Sequence, residues 1–532
     1  MKVSINGATI KTFQDLLTSD EYSKIIRINR WSTNKDRVDI DLTSLCDLSL
    51  LNLYNFACGL SGHNNISACT QIKQWQDVKK NPAGGIARSL NDVASLMRAY
   101  IDSAPNKCLF RQLGDDNCVP YLVTGIKYSP AQDYAAAVVS ISLAAHNDFS
   151  SGKNWNDKRG RYLRLYEEDC LGKTMGEILQ ASSYFLETKS RMQEYLLEME
   201  NLAELSDKVG QQVKVFGKVV SKDDSWWGEE EFRPVERSGS PAKMVIDPKE
   251  KDFAPSAKSI PFWGNELMDI PSHPFLDLFD LESHTHKRCH VNNIKDYTYD
   301  KDIGDKLVLD DEAKELLEIL VDNASDEFED IVSGKQGGSI ILCAGPPGVG
   351  KTLTAEIYSE VMGRPLYRVQ SSQLGVSVES LEHELKNVLS RAERWGAILL
   401  IDEADVYVRN RGSEIEQNAI VGVFLRLLEY YRGVLFLTTN METSIDDAIV
   451  SRVTARLDYR MPTEQQQRDL WLILSEQNSV CLSENEISKV LVNHPNLSGR
   501  DIKNMLKLSS RVAKAKGIEV TAKLIERIAK FK

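Results

Sequence analysis

The chain predicts an α/β fold: a module built on a parallel sheet with flanking helices and a C-terminal helical lid, preceded by mixed α/β and small β-rich N-terminal regions. Three observations carry that expectation. From residue 339 onward, short apolar runs alternate with helix-period segments, the pattern of parallel strands joined by crossover helices. The octapeptide Gly345-Pro-Pro-Gly-Val-Gly-Lys-Thr352 stands between the apolar run Ile340-Ile-Leu342 and a helical pattern. The tail after residue 462 is helical throughout, with starts marked at Thr463-Glu-Gln-Gln466, Ser483-Glu-Asn-Glu486 and Ser498-Gly-Arg-Asp501, and a last one at Thr521.

Taken in order, residues 1–155 read as a mixed α/β region, opening with a hairpin in which Val3 and Ile5 face Ile10 across Asn6-Gly7. The near-apolar stretch from Tyr134 to Ala145 is too short to cross a bilayer, which needs about 20 residues, and reads as a buried core segment. Residues 150–160 are polar and glycine-bearing and read as a linker. A helical segment fills 160–207, with Met175, Ile178, Leu179 and then Met192, Tyr195, Leu196, Met199 and Leu202 at helix spacing. Residues 208–300 read as a small β-rich domain and linker, starting with the strand-like Gln212–Val220. Residues 301–462 form the large α/β subdomain, beginning with one or two helices over 309–333. Its strands are expected at 339–344, 366–370, 397–401 and 433–438, and its helices at 351–362, 378–394 and 415–430. Residues 463–532 form the lid.

Composition narrows the classes of function. The chain is 42% hydrophobic and 27% charged, with a net charge of −12, which disfavours a bulk nucleic-acid or anionic-membrane binder. Nine scattered cysteines without a Cys-x-x-Cys pair fit a reducing compartment and exclude a disulfide framework. The N-terminal stretch Met1-Lys-Val-Ser-Ile-Asn-Gly-Ala8 lacks the apolar core of a signal peptide, so a cytoplasmic location is expected.

The chemistry concentrates in two places. In the loop Gly345, Pro346, Pro347, Gly348, Val349, Gly350, Lys351 and Thr352, the glycines let backbone N–H groups curl around phosphate oxygens. Lys351 supplies a point charge for the β- and γ-phosphates, the Thr352 hydroxyl can ligate Mg²⁺, and the following helix turns its positive end to the anion. The second place is Ala397-Ile-Leu-Leu-Ile-Asp-Glu-Ala404, an apolar strand ending in two carboxylates at the sheet edge where such folds bind ligands. Asp402 is the expected Mg²⁺ partner and Glu403 the group that polarises an attacking water. ATP with Mg²⁺ is therefore the expected ligand, and its hydrolysis the expected reaction.

With those residues in view, residues 302–510 resemble the AAA+ ATPases, and within them the AAA branch. The loop resembles that branch's Walker A, and Ile398-Leu-Leu-Ile-Asp-Glu-Ala-Asp405 its Walker B. Leu435-Phe-Leu-Thr-Thr-Asn440 resembles the sensor 1 strand, with Asn440 orienting the attacking water, and Asp302-Ile303-Gly304 resembles the segment bordering the adenine. The resemblance implies a ring, hexameric in this family, in which a neighbour supplies an arginine finger. Arg452 best matches the finger position and Arg456 is the second choice. Ser498-Gly-Arg-Asp501 sits where the family places sensor 2, which makes Arg500 a candidate for sensing the γ-phosphate. One departure concerns Ser371–Glu379, where threading members carry an aromatic-apolar-glycine triplet; this stretch has no Tyr, Phe or Trp.

Three other features point to blander roles. His284, His286 and His290 would share one face of a strand, a geometry that suits a metal but more commonly forms a polar strand face. Trp226-Trp227 resembles a base-stacking platform, but Asp223-Asp224 and Glu229-Glu-Glu231 beside it favour a core or protein contact. The stripe over residues 192–202 fits packing within a domain better than a coiled coil. The expected function is a ring ATPase that remodels a protein client or adaptor selected by the N-terminal region, with no membrane contact. Two rivals are a nucleic-acid-associated motor or loader using the 210–300 region, and a slow nucleotide-gated assembly scaffold.

Overall fold

The computed structural model describes residues 2–531 except 7, 9, 30–36, 43–44, 61–67, 70–71, 74–75, 77–85, 114–116, 133–134, 147–160, 222–231, 235–239, 249–259, 262–266, 323–337, 376, 410–414 and 442–444. The expected 150–160 linker, the Trp226-Trp227 pair and the second helix around Phe328 and Ile331 lie outside the described residues.

The ATPase-like part is a five-stranded, all-parallel sheet. Its elements run β1 (Ser339–Ala344), α1 (Lys351–Val361), β2 (Leu366–Gln370), α2 (Val378–Trp395), β3 (Ile398–Asp402), α3 (Ile415–Leu428), β4 (Val434–Thr439) and β5 (Ala455–Asp458). The spatial order is β2-β3-β4-β1-β5. Every residue of β1, β3 and β4 is buried, because helices cover both faces; this is why these strands read as unbroken apolar runs. Ile340, Leu342, Leu399, Ile401, Leu435 and Leu437 pack on the side of α2 and α3. Ile341, Cys343, Ile398, Leu400, Val434 and Phe436 pack on the side of α1. Helix α2 shows the local logic clearly. Ser377 caps its start, Leu381, Leu385, Val388, Leu389 and Ala392 form one buried stripe, and Gly396 closes it in the left-handed region.

The lid is four helices: α4 (Glu464–Gln477), α5 (Glu484–Asn493), α6 (Gly499–Lys516) and α7 (Ala522–Ala529). Capping boxes open α4, α5 and α6, as the sequence pattern requires. Fully buried Trp471 centres the lid core with Ile487, Leu491, Ile502 and Ile525.

Two expectations for the N-terminal half are corrected. Val3 and Ile5 do not form a local hairpin; Lys2–Asn6 pairs antiparallel with Arg37–Asp41, and Ile10 begins a 3-10 turn. Val38 and Ile40 offer two apolar residues at strand spacing, which Ile10 alone does not. The segment 160–207 is not continuously helical: it contains the strand Arg161–Leu165, and helices Met175–Ala181 and Lys189–Ser206 flank the strand Tyr184–Leu186. Ser183, at φ +64°, breaks the first helix, and Phe185 then pairs with Phe110. The resulting antiparallel sheet runs Arg161–Leu165, Val138–Ala144, Cys118–Ser129, Cys108–Gln112, Tyr184–Leu186, so it spans the boundary drawn at residue 155. Alternate residues of Val138–Ala144 are buried, which makes the near-apolar stretch a sheet strand. Among the described residues, no helix is long and apolar enough to cross a membrane.

A seven-stranded antiparallel sheet, built from strands between Gln212 and Asp296, docks on the ATPase-like part. Phe279 enters the α2 side of that core, 5.1 Å from Trp395 and 5.7 Å from Tyr367 between ring centroids, with the Arg391 guanidinium 4.4 Å over its face. Gly210, at φ +85°, lies so close to the backbone of Trp395 that a Cβ would sit 2.7 Å from its Cα. Asp247 is 1% exposed and accepts from His286 Nε2 at 2.8 Å and from Arg394. Burial alone would raise its pKa, but the hydrogen bond from His286 and the Arg394 charge hold it below the ordinary value. The three histidines therefore divide among partners: His286 meets Asp247, His284 lies against Tyr367, and His290 is buried against Phe275. Asp247→Ala is expected to destabilise this joint by about 2 kcal/mol, leaving Arg394 and His286 without their shared acceptor. Chemical denaturation of the full chain checks it, with the first transition moving to lower denaturant.

Candidate functional site

The site forms at the C-terminal ends of β1, β3 and β4, where three loops converge. Gly345 leaves β1 at φ +147°, and a Cβ there would meet the Tyr459 carbonyl at 2.2 Å, so only glycine fits. Gly350 begins α1 at φ +108°, and no side chain caps the helix. The first-turn N–H groups of α1 thus open onto a concave loop, the arrangement that binds anions. Nothing lies within 4 Å of a Cβ placed on Gly350, so that wall of the loop is open space.

Lys351, 7% exposed, donates from Nζ to the carbonyls of Gly345 and Pro346, each at 2.7 Å, and to Asn440 Oδ1 at 3.0 Å. Burial pushes its pKa down, against the upward pull of Asp405 and Asp402. Its three acceptors hold the ammonium at the mouth of the loop. Asp402 Oδ1 accepts from the Thr352 hydroxyl at 3.0 Å and the Thr438 hydroxyl at 2.5 Å, and its Oδ2 accepts from Arg368 Nη2 at 2.6 Å. Burial would raise the Asp402 pKa, but the two hydroxyls and the guanidinium hold it below the usual carboxylate range. The Thr438 Oγ1 that donates to Asp402 also accepts from the Glu403 backbone N–H at 3.0 Å. Glu403 is exposed and sits at φ +56°, a conformation that costs a non-glycine residue about 1–3 kcal/mol and concentrates at functional sites.

Of the expected residues, Lys351 thus meets Asn440, Thr352 meets Asp402, and Glu403 is tied to Asp402 through the Thr438 hydroxyl by its backbone N–H. Arg500 joins through its backbone: its N–H donates to the Gly348 carbonyl at 3.1 Å, and its exposed side chain starts beside the loop. A Cβ on Gly348 would meet Ser498 Oγ at 2.8 Å and Arg500 Cβ at 2.9 Å, so lid and loop are in direct contact. Ile303 and Gly304 lie in the 3-10 turn Lys301–Lys306, and Ile303 packs in the same cluster as Val349. The two finger candidates engage elsewhere in this single chain. Arg452 bonds Ala448 O at 3.2 Å and lies 4.0 Å from Glu429, while Arg456 donates to Asp458 at 2.8 Å. The residues fit a magnesium nucleotide: an open cradle of N–H groups, an ammonium at its mouth, and a hydroxyl beside a carboxylate.

Three functional side chains escaped the sequence reading. Thr438 and Asp405 lay inside quoted motifs, and spacing alone does not say that Asp405 accepts from Thr439 Oγ1 at 2.5 Å and from Asn440 N at 3.0 Å. Arg368 carries no motif at all. The segment Ser371–Gly375 also gains a partner, since the Tyr407 hydroxyl donates to Ser371 O at 2.9 Å above fully buried Leu374.

Residues 341–461 match the family model described as ATPase family associated with various cellular activities (AAA). An uncharacterized AAA family ATPase, y4kL, of Sinorhizobium fredii is 34% identical over 134 residues, 23% of this chain and 39% of that protein. Spastin of Naegleria gruberi is 27% identical over 184 residues, 32% of this chain and 35% of that protein. The ATP-dependent zinc metalloprotease FtsH 2 of Salinibacter ruber is 26% identical over 283 residues, 47% of this chain and 40% of that protein. The chain thus spans no more than 40% of the length of these curated relatives.

Gly348→Ala combines a strained φ with a contact against the lid and is expected to cost about 2 kcal/mol. Limited proteolysis checks it: cleavage between Pro495 and Ser498 should appear in the variant at protease concentrations that leave the parent intact.

Proposed function

With residues 341–461 forming an AAA ATPase domain, we propose that the chain hydrolyses ATP and uses the turnover to remodel a protein client or complex. The observation that supports this reading is the single hydroxyl of Thr438, which donates to Asp402 and accepts from the Glu403 N–H, at the end of the strand that leads to Asn440, the acceptor of Lys351. A binding protein has no need of the second carboxylate; a hydrolase does. In this reading the loop N–H groups and Lys351 hold the phosphates. Thr352 and Asp402 would hold Mg²⁺, which would neutralise the charge of the phosphates. Glu403 takes a proton from the attacking water, and Asn440, tethered to Lys351, orients that water. Ile303 and Gly304 border the base.

The subunits form a ring, hexameric by resemblance, with Arg452 acting on the neighbour's nucleotide and Arg456 as second choice. Arg500 on the lid reports the state of the γ-phosphate. The N-terminal regions select the client, and the scattered cysteines without a Cys-x-x-Cys pair favour a cytoplasmic setting. The pinned, aromatic-free segment Ser371–Gly375 supports remodelling without an aromatic paddle drawing a chain through the pore. The net charge of −12 disfavours the nucleic-acid motor, and the paired carboxylates disfavour the slow scaffold.

Glu403→Gln is expected to lower phosphate release at least 100-fold, the scale of a lost general base, while labelled-nucleotide affinity stays within about twofold. Near-normal turnover would remove Glu403 from this role. Arg452→Ala subunits mixed with Lys351→Ala subunits should regain ATPase activity, because mixed rings place an intact arginine against an intact loop. Absence of rescue in rings shown to be mixed would remove Arg452 as the finger.

A further inference from the structure

Arg368 is the middle residue of β2, in register with Leu400 on β3. Its Nη2 lies 2.6 Å from Asp402 Oδ2, and its Nη1 lies 3.7 Å from Glu356 Oε1 on α1. Glu356 follows Thr352 by one helical turn, so both leave the same face of α1. Two hydroxyls occupy Oδ1 of Asp402, leaving Oδ2 as its exchangeable oxygen, and a guanidinium stands on it. Arg368 and Glu356 are each nearly half exposed, and both line a cleft of about 620 Å³ that Lys243, Leu281 and Ile303 also border.

We propose that Arg368 is a positioning residue that holds Asp402 in the metal-free site and passes to Glu356 when a divalent cation binds. The inference rests on the magnesium-nucleotide reading of the site. The guanidinium and the metal are both cations that require the same carboxylate, so Arg368 opposes metal binding as long as it stays on Oδ2. Glu356 provides the alternative anion. At 3.7 Å the pair is longer than a hydrogen bond, and the open cleft leaves room for the side chain to close that gap. Arg368 thereby keeps a buried carboxylate compensated before metal arrives, and Glu356 keeps the displaced guanidinium compensated afterwards. A static ion pair that only braces β2 against β3 would make no use of Glu356.

The test is a Mg²⁺ titration of fluorescently labelled ADP binding to the full chain, which involves no turnover. Arg368→Gln is expected to lower the Mg²⁺ midpoint about tenfold, the effect of removing one competing unit charge. Glu356→Gln is expected to raise it about threefold, because Arg368 loses its second partner. In the Arg368→Gln background, Glu356→Gln should move the midpoint by less than about twofold, as coupling through one residue requires. A midpoint within about twofold of the parent for Arg368→Gln, or both single variants shifting it the same way, overturns the role of Arg368. Either result leaves the nucleotide site standing. A parent chain that binds no labelled ADP at any Mg²⁺ concentration overturns the site reading itself. If Arg368→Gln fails to fold, the half-exposed Glu356→Gln variant still decides: a midpoint equal to the parent's overturns the proposal.

Discussion

A carboxylate buried at the end of a parallel strand destabilises a fold unless both oxygens find donors. Asp402 meets that requirement with Thr352 from α1, Thr438 from β4 and Arg368 from β2. One side chain at the tip of β3 thus ties three other elements together. The arrangement extends one step further, because Thr438 also receives the N–H of Glu403 and so fixes the peptide that carries it. Glu403 remains at φ +56° because its neighbours on both sides are held: Asp402 by three donors and Ala404 by a hydrogen bond to the Thr438 carbonyl. Local strain persists where the surroundings over-determine it.

The physics that made part of this legible in the sequence is burial on two faces. Strands β1, β3 and β4 are covered by helices on both sides, so they appear as runs such as Ile398-Leu-Leu-Ile401 that no half-exposed strand would show. The glycines of the loop were legible for a different reason: the backbone conformation at Gly345 and Gly348 and the close approach of Tyr459 and Ser498 exclude a Cβ. Arg368 was not legible because β2 is an edge strand. Its alternating burial allows any polar residue outward, and only the three-dimensional register sets that position beside Asp402.

The N-terminal half yields less to sequence reading because its pairings are distant along the chain. Lys2–Asn6 meets Arg37–Asp41, and Cys108–Gln112 meets Tyr184–Leu186 across more than seventy residues. Three- to five-residue strands of this kind carry too few alternations to announce their partners, and turn signals such as Asn6-Gly7 then mislead. The buried pair Arg191–Glu198, at 2.7 Å, shows the same limit. On the helix Lys189–Ser206 it reads as surface charge, yet it is enclosed, with Asn292 donating to Glu198 at 3.0 Å and the Cys118 carbonyl accepting from Arg191 at 3.1 Å.

Helix α1 carries three polar side chains on one face at four-residue spacing, and each engages a different body. Thr352 reaches Asp402, Glu356 approaches Arg368, and Glu360 accepts from Lys243 at 3.2 Å, Tyr297 at 2.5 Å and the Asp300 N–H at 3.2 Å. From Thr352 to Glu360 is about 12 Å along the helix axis. One helix thus links the loop to Lys243, on the interior strand Ala242–Ile246 of the seven-stranded sheet, and to Tyr297 in the tether that follows the sheet. On the α2 side the sheet is attached by Phe279 packed against Tyr367 and Trp395, with Asp247 on Arg394 beside it. Hydrogen bonds at Glu360 exchange for water at small net cost, whereas displaced aromatic rings leave a cavity. The polar joint on α1 is therefore the one that parts at lower cost, and the aromatic joint the one that resists. The face of α1 that carries Thr352 to Asp402 is the same face that grips the sheet.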